Sequence, residues 1–106
     1  MAIDITFYRA FSADILAGRK IITIRDHSEA GFLPGQRLRA GYQDDQQYFA
    51  TLRVIRITPV LQSQLTGEHA RQENMSLPQL HKVIATIYPQ TEQLFVIEFC
   101  LCEPAD

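Results

Sequence analysis

The 106-residue sequence has no tryptophan, two cysteines, two methionines, five glycines and five prolines. Two cysteines are too few for a disulfide framework. Cys100 and Cys102 lie two apart on a segment that reads as a strand, so both side chains point the same way, a poor geometry for a bridge. A lone Cys-Leu-Cys also lacks zinc spacing, and both residues are read as buried, reduced, structural thiols. No apolar run approaches the roughly 18–20 residues that a membrane-crossing helix needs. The opening MAIDITFYRAF places Asp4 where a secretory leader carries positive charge, so a cytoplasmic protein is expected. Charge of one sign is missing too: ten Lys and Arg face twelve Asp and Glu, for a net charge of −2. That balance disfavours tight general binding to RNA or DNA, but not a small neutral or weakly anionic ligand. Repeats, low-complexity tracts and linkers are absent, and 46% apolar residues exclude a disordered chain. One domain over residues 1–106 is expected.

What is present alternates between short strands and short helices. Asp4–Phe7 alternates as a strand. Phe11, Ile15 and Leu16 fall at helical spacing between Tyr8 and Ala17, with Gly18 placed just past the helix end. Ile21–Arg25 is rich in β-branched residues, and Asp26–Gly35 is a loop closing in a Pro-Gly turn. Arg37–Tyr42 and Tyr48–Thr58 read as strands around a polar tip at Asp44–Gln47. The apolar parity switches from Leu52 and Val54 to Ile55 and Ile57, which predicts a bulge where the sheet curls. Leu65–Asn74 is a short helix with Thr66 as candidate cap, and Ser76-Leu77-Pro78-Gln79 opens a helix over Leu77–Ile87 with a capping box. Gln93–Leu101 is apolar on both faces, as in a central strand covered by helices on one side. The expected fold class is α+β: a small mixed β-barrel of five to six strands with two to three flanking helices.

Metal and nucleotide motifs are missing, as are a Gly-rich phosphate loop and a nucleophile elbow, so neither a metal nor another cofactor is expected. His27, His69 and His81 are scattered, and Ser76 is better explained as a cap. One dense polar segment remains, Gly18-Arg19-Lys20-Ile21-Ile22-Thr23-Ile24-Arg25-Asp26. On a strand, Ile22 and Ile24 face the core while Thr23 and Arg25 share the other face. Lys20 lies at the turn, where its ammonium is able to swing beside the Thr23 hydroxyl. Cations crowded there lower a lysine pKa and supply a neutral amine able to activate a hydroxyl. The same residues also read as an ordinary strand threonine and a solvated turn lysine. Glu73, in Gln72-Glu73-Asn74-Met75, sits against the unfavourable end of a helix dipole, a placement that suits a proton donor and is also common among surface glutamates.

Together these segments carry a resemblance. Gly18-x-Lys20-x-x-Thr23-x-Arg25 resembles the signature of the ASCH-domain family of PUA-like β-barrels, with Thr23 where Glu is usual. That departure is similar to the bacterial N4-acetylcytidine amidohydrolase subgroup, in which a threonine nucleophile stands there. The likeness extends through Asp14–Lys20, Ile22–Asp26, Gln72–Met75, Val83–Ala85, Ile87–Pro89 and Val96–Phe99. It implies hydrolysis of an acetylated nucleoside, N4-acetylcytidine, to cytidine and acetate. It also implies Lys20 as proton acceptor, Thr23 as nucleophile and Glu73 as proton donor. Arg25, on the face of Thr23, is a candidate to bind the pyrimidine carbonyl or a developing oxyanion, with pairing to Asp26 or Glu29 as the alternative. Phe7, Tyr8, Phe11 and Tyr48 are candidates to stack on the base. The competing reading is a non-catalytic RNA-binding module of the PUA-like type.

Overall fold

A computed structural model describes residues 2–103. Five strands form one sheet: β1 (Ile5–Phe7), β2 (Ile22–Arg25), β3 (Arg37–Tyr42), β4 (Tyr48–Leu61) and β5 (Gln93–Cys102). Their order is β1-β3-β4-β5-β2, with β1 parallel to β3 and the other pairs antiparallel. Three α-helices accompany them: α1 (Ser12–Leu16), α2 (Gly67–Gln72) and α3 (Leu77–Ile87). Among the described residues no helix is long and apolar enough to cross a membrane.

The expected parity switch in β4 is a register shift between Val54 and Arg56, which leaves Ile55 as the extra residue, 41% exposed. This bulge coils the long β4–β5 ribbon, so the sheet curls into a half-barrel. β5 lies between β4 and β2, and its two faces serve two cores. Ile97 and Phe99 join Ile5, Phe7, Leu38, Leu52 and Val54 on the concave face. Leu94 and Val96 join Ile22 and Ile24 beneath Leu80 and Ile84 of α3. Because Thr23 pairs with Ile97 and Arg25 with Phe95, both side chains belong to the concave face. The half-barrel leaves its two edge strands, β1 and β2, facing each other across a seam.

Several boundaries differ from the sequence expectation. The Tyr8–Ala17 segment divides into a 3-10 turn at Arg9–Phe11 and the shorter α1, and the Ser12 hydroxyl bonds back to the Arg9 carbonyl at 2.9 Å. Leu65 is extended and buried, so α2 starts only after its cap Thr66. His69 completes that capping box through its ring nitrogen, which accounts for one of the three histidines. The box at Ser76 and Gln79 forms as expected at α3. Cys100 and Cys102 are free but half-buried rather than buried, because the helices cover only the β2 end of their face.

Candidate active site

Lys20 and Glu73 reach the seam from the ends of two helices that terminate alike. At α1, Gly18 is left-handed (φ 77°), and the N–H groups of Gly18 and Arg19 donate to the carbonyls of Ile15 and Asp14. At α2, Asn74 is left-handed (φ 60°), and the N–H groups of Asn74 and Met75 donate to those of Arg71 and Ala70. Both are Schellman caps, one using Gly and one using Asn, the two residues that adopt this conformation most readily. A single backbone bond then joins the two ends: the Ile21 N–H donates to the Gln72 carbonyl at 2.9 Å. It seats Lys20 beside Glu73.

Lys20, Thr23 and Glu73 are buried at 3%, 4% and 5% exposure, and Thr51 is the one other buried polar residue among those described. Apolar burial explains none of the three. The Lys20 ammonium donates to the Glu73 carboxylate and, at 2.8 Å, to the Ile22 carbonyl. The Phe11 and Phe7 rings flank it, with centroids 5.1 and 5.9 Å from Nζ. Burial pushes the Lys20 pKa below that of an ordinary lysine; Glu73 works against this shift and the Arg25 charge adds to it.

The Thr23 hydroxyl oxygen accepts from Arg25 Nε at 3.0 Å. Arg25 also donates through Nη2 to the Thr6 carbonyl on β1 at 2.7 Å, which ties the two sides of the seam together. Nη1 donates to Glu29 at 3.1 Å, so the Glu29 alternative is realised alongside the contact to Thr23. Asp26 instead accepts from Ser28. Lys20 therefore pairs with Glu73 and the Ile22 carbonyl and does not bond the Thr23 hydroxyl, because the Ile21–Gln72 clip holds it against α2.

All four residues nonetheless line one cavity of about 140 Å³. Phe7, Tyr8 and Phe11 line it too, whereas Tyr48 does not: its hydroxyl bonds Thr51 at 2.7 Å and its ring lies under Arg39. A bulge at Ala40/Gly41 places Tyr48 opposite Gly41, away from the seam. Tyr88 is one of the wall residues to which the sequence reading gave no role of its own, since it stands just past the helix expected over Leu77–Ile87. Its hydroxyl donates to Glu29 at 2.9 Å. Among the described residues, no group of three or more His, Cys, Asp or Glu is placed to hold a metal ion.

The geometry has counterparts among known proteins. Solved ASCH domains share the fold: one from Lactobacillus crispatus superposes with TM-score 0.76 at 14% identity, over 92% of this chain and 78% of that one. One from Zymomonas mobilis gives 0.71 at 15% identity, over 93% of this chain and 65% of that one. No family model matches the sequence. Relatives named N(4)-acetylcytidine amidohydrolase do match it along most of its length. That of Cronobacter sakazakii is 64% identical over 96 residues, covering 91% of this chain and 92% of its own. Those of Edwardsiella ictaluri and Haemophilus influenzae are 59% and 54% identical over 98 residues each, covering 92% of this chain and 92% and 94% of their own. With an ASCH-type half-barrel and identities at this level over nine-tenths of its residues, the chain belongs to the N(4)-acetylcytidine amidohydrolase family.

Proposed function

We propose that the protein hydrolyses N4-acetylcytidine to cytidine and acetate, with Thr23 as nucleophile, Lys20 as base and Glu73 as acid, and without a metal. The observation that carries this reading is the burial of Lys20, Thr23 and Glu73 in one cavity, where an ion pair and a hydroxyl are taken out of water at a cost in stability. The cavity is close to the roughly 150 Å³ that accommodates one six-membered ring, which suits a base entering with its sugar at the mouth.

In the resting pair Lys20 carries its proton and Glu73 is a carboxylate. Transfer of that proton across their hydrogen bond yields a neutral amine beside a carboxylic acid, the two forms the reaction needs. The lowered pKa of Lys20 favours this transfer. The neutral Lys20 amine then turns from Glu73 and the Ile22 carbonyl toward Thr23 and takes its proton, and the alkoxide attacks the acetyl carbon while Arg25 Nε supports the Thr23 oxygen. As the C–N bond breaks, Glu73 delivers its proton to N4, and cytidine leaves. The pair is thereby restored to ammonium and carboxylate, with the acetyl group on Thr23. A second transfer within the pair lets Lys20 deprotonate water, and the hydroxide attacks the ester. Glu73 returns its proton to the departing Thr23 oxygen, and acetic acid ionises into solvent.

The test is hydrolysis of N4-acetylcytidine followed by absorbance in excess EDTA. Wild-type turnover should survive the chelator, Thr23→Ala should have almost none, and Thr23→Ser should retain some. Unimpaired Thr23→Ala, or activity lost to EDTA and restored by metal, would refute the assignment.

A further inference from the structure

Arg25 is the most constrained side chain of the site. Its guanidinium meets acceptors on three elements: Thr23 on β2, the Thr6 carbonyl on β1, and Glu29 in the 3-10 turn His27–Glu29. Glu29 alone among them carries charge. Its second carboxylate oxygen accepts from the Tyr88 hydroxyl at 2.9 Å. Tyr88 is fixed at the end of α3, with its N–H on the Ile84 carbonyl at 2.8 Å and 7% exposure. Burial and the neighbouring Glu29 charge push its pKa up to about 12, so it remains a donor at neutral pH.

A guanidinium offers five N–H donors in a planar fork, and only one of them sits on Thr23. With Nη2 on the Thr6 carbonyl and Nη1 on Glu29, Nε is the donor left aimed at the Thr23 oxygen. Thr6 contributes a backbone group that no side-chain change removes. Glu29 is the adjustable part, half-exposed at the end of its chain, and Tyr88 is what fixes it.

We infer that Glu29 and Tyr88 are positioning residues for the reaction proposed above, acting through Arg25 to hold its Nε–H on the Thr23 oxygen while that oxygen carries negative charge. The inference rests on the threonine-nucleophile reading. A hydrogen bond to Thr23 is stronger when the oxygen bears negative charge than when it is a neutral hydroxyl, so it stabilises the alkoxide and the transition state that follows relative to the resting complex. Its loss belongs in kcat rather than in KM.

The experiment is a double-mutant cycle on N4-acetylcytidine turnover with Glu29→Ala, Arg25→Ala and the combination, joined by Glu29→Gln and Tyr88→Phe. Glu29→Ala should lower kcat roughly 10- to 100-fold with KM little changed, the span expected for one charge-assisted hydrogen bond. Glu29→Gln keeps one acceptor oxygen for Arg25 and should recover part of that loss. Tyr88→Phe, which keeps the buried ring, should cost less and in the same direction, and it stands in if Glu29→Ala unfolds. In the Arg25→Ala background neither change should cost anything further. Independent losses that multiply in the double variant, or an effect on KM alone, would overturn the positioning role. Wild-type protein without turnover would instead overturn the underlying reading, and this assignment with it.

Discussion

Replacing Glu73 by alanine tests how the site is held as much as how it works. Lys20 and Glu73 are 3% and 5% exposed, and the substitution leaves the ammonium with one acceptor, the Ile22 carbonyl at 2.8 Å. Removing one partner of a buried ion pair costs about 3–5 kcal/mol, because the remaining charge loses its counter-ion and gains no water. In a domain of this size about 1 kcal/mol moves Tm by roughly 4–8 °C, so even the lower figure lowers Tm by roughly 12–24 °C. Lys20 is able to reduce the cost by shedding its proton. Burial already holds its pKa down, and Glu73 is the main influence that opposes burial. In Glu73→Ala the folded pKa therefore lies further below the unfolded value. Between the two, the unfolded chain binds more protons, so stability rises with pH; below the folded value the whole penalty remains. Lys20→Met combined with Glu73→Leu removes both charges, and such replacements are neutral or stabilising by about 1–4 kcal/mol. Urea unfolding at about pH 6 and about pH 9 reads all of this as shifts in midpoint. The single variant should be least stable at the lower pH, and the double variant should match or exceed wild type at both while lacking activity. A single-variant cost under about 1 kcal/mol near pH 6, or a double variant as unstable as the single, would refute the reasoning.

Lys20→Ala should cost about 10²–10⁴-fold in kcat, the range of a general base, and wild-type rates in that variant would remove Lys20 from the mechanism. Ser76→Ala takes away the side-chain cap of α3 and should destabilise by about 1 kcal/mol in urea unfolding with kcat unchanged. Tyr88 titrates at about 12 in the folded protein and near 10 when unfolded, so its contribution is complete below about pH 10 and is lost as pH climbs toward 12. The stability difference between wild type and Tyr88→Phe should accordingly narrow over that interval, as read by urea midpoints.

Local signals carried far along this chain. Gly18 marks the end of α1, Thr66 and Ser76 cap α2 and α3, and the parity switch at Ile55 marks the bulge that curls the sheet. Each depends on backbone preferences within a few residues, which is why pattern alone reveals it. The shared face of Thr23 and Arg25 was legible for the same reason, since strand alternation dictates it. The partner of Lys20 was not. It depends on the Ile21–Gln72 backbone bond, a contact between elements far apart in sequence that no local period encodes. Asn74 gave no sign of its left-handed conformation, because Asn is compatible with several loop conformations. Tyr88 entered only as part of Ile87–Pro89 in the likeness, and its hydroxyl gains a partner only once the turn carrying Glu29 is folded against α3.

The sheet order bears on how the molecule is made. β2 is an edge strand whose one neighbour is β5, so Thr23 has no ladder partner until Ile97 has been synthesised. A chain lacking β5 holds Lys20 and Thr23 on an unpaired segment, and the helices that cover β2 lack the Leu94 and Val96 side chains that complete their core. Assembly of the proposed site therefore waits for β5, and a chain interrupted before it would carry Lys20, Thr23 and Glu73 without the strand that pairs Thr23.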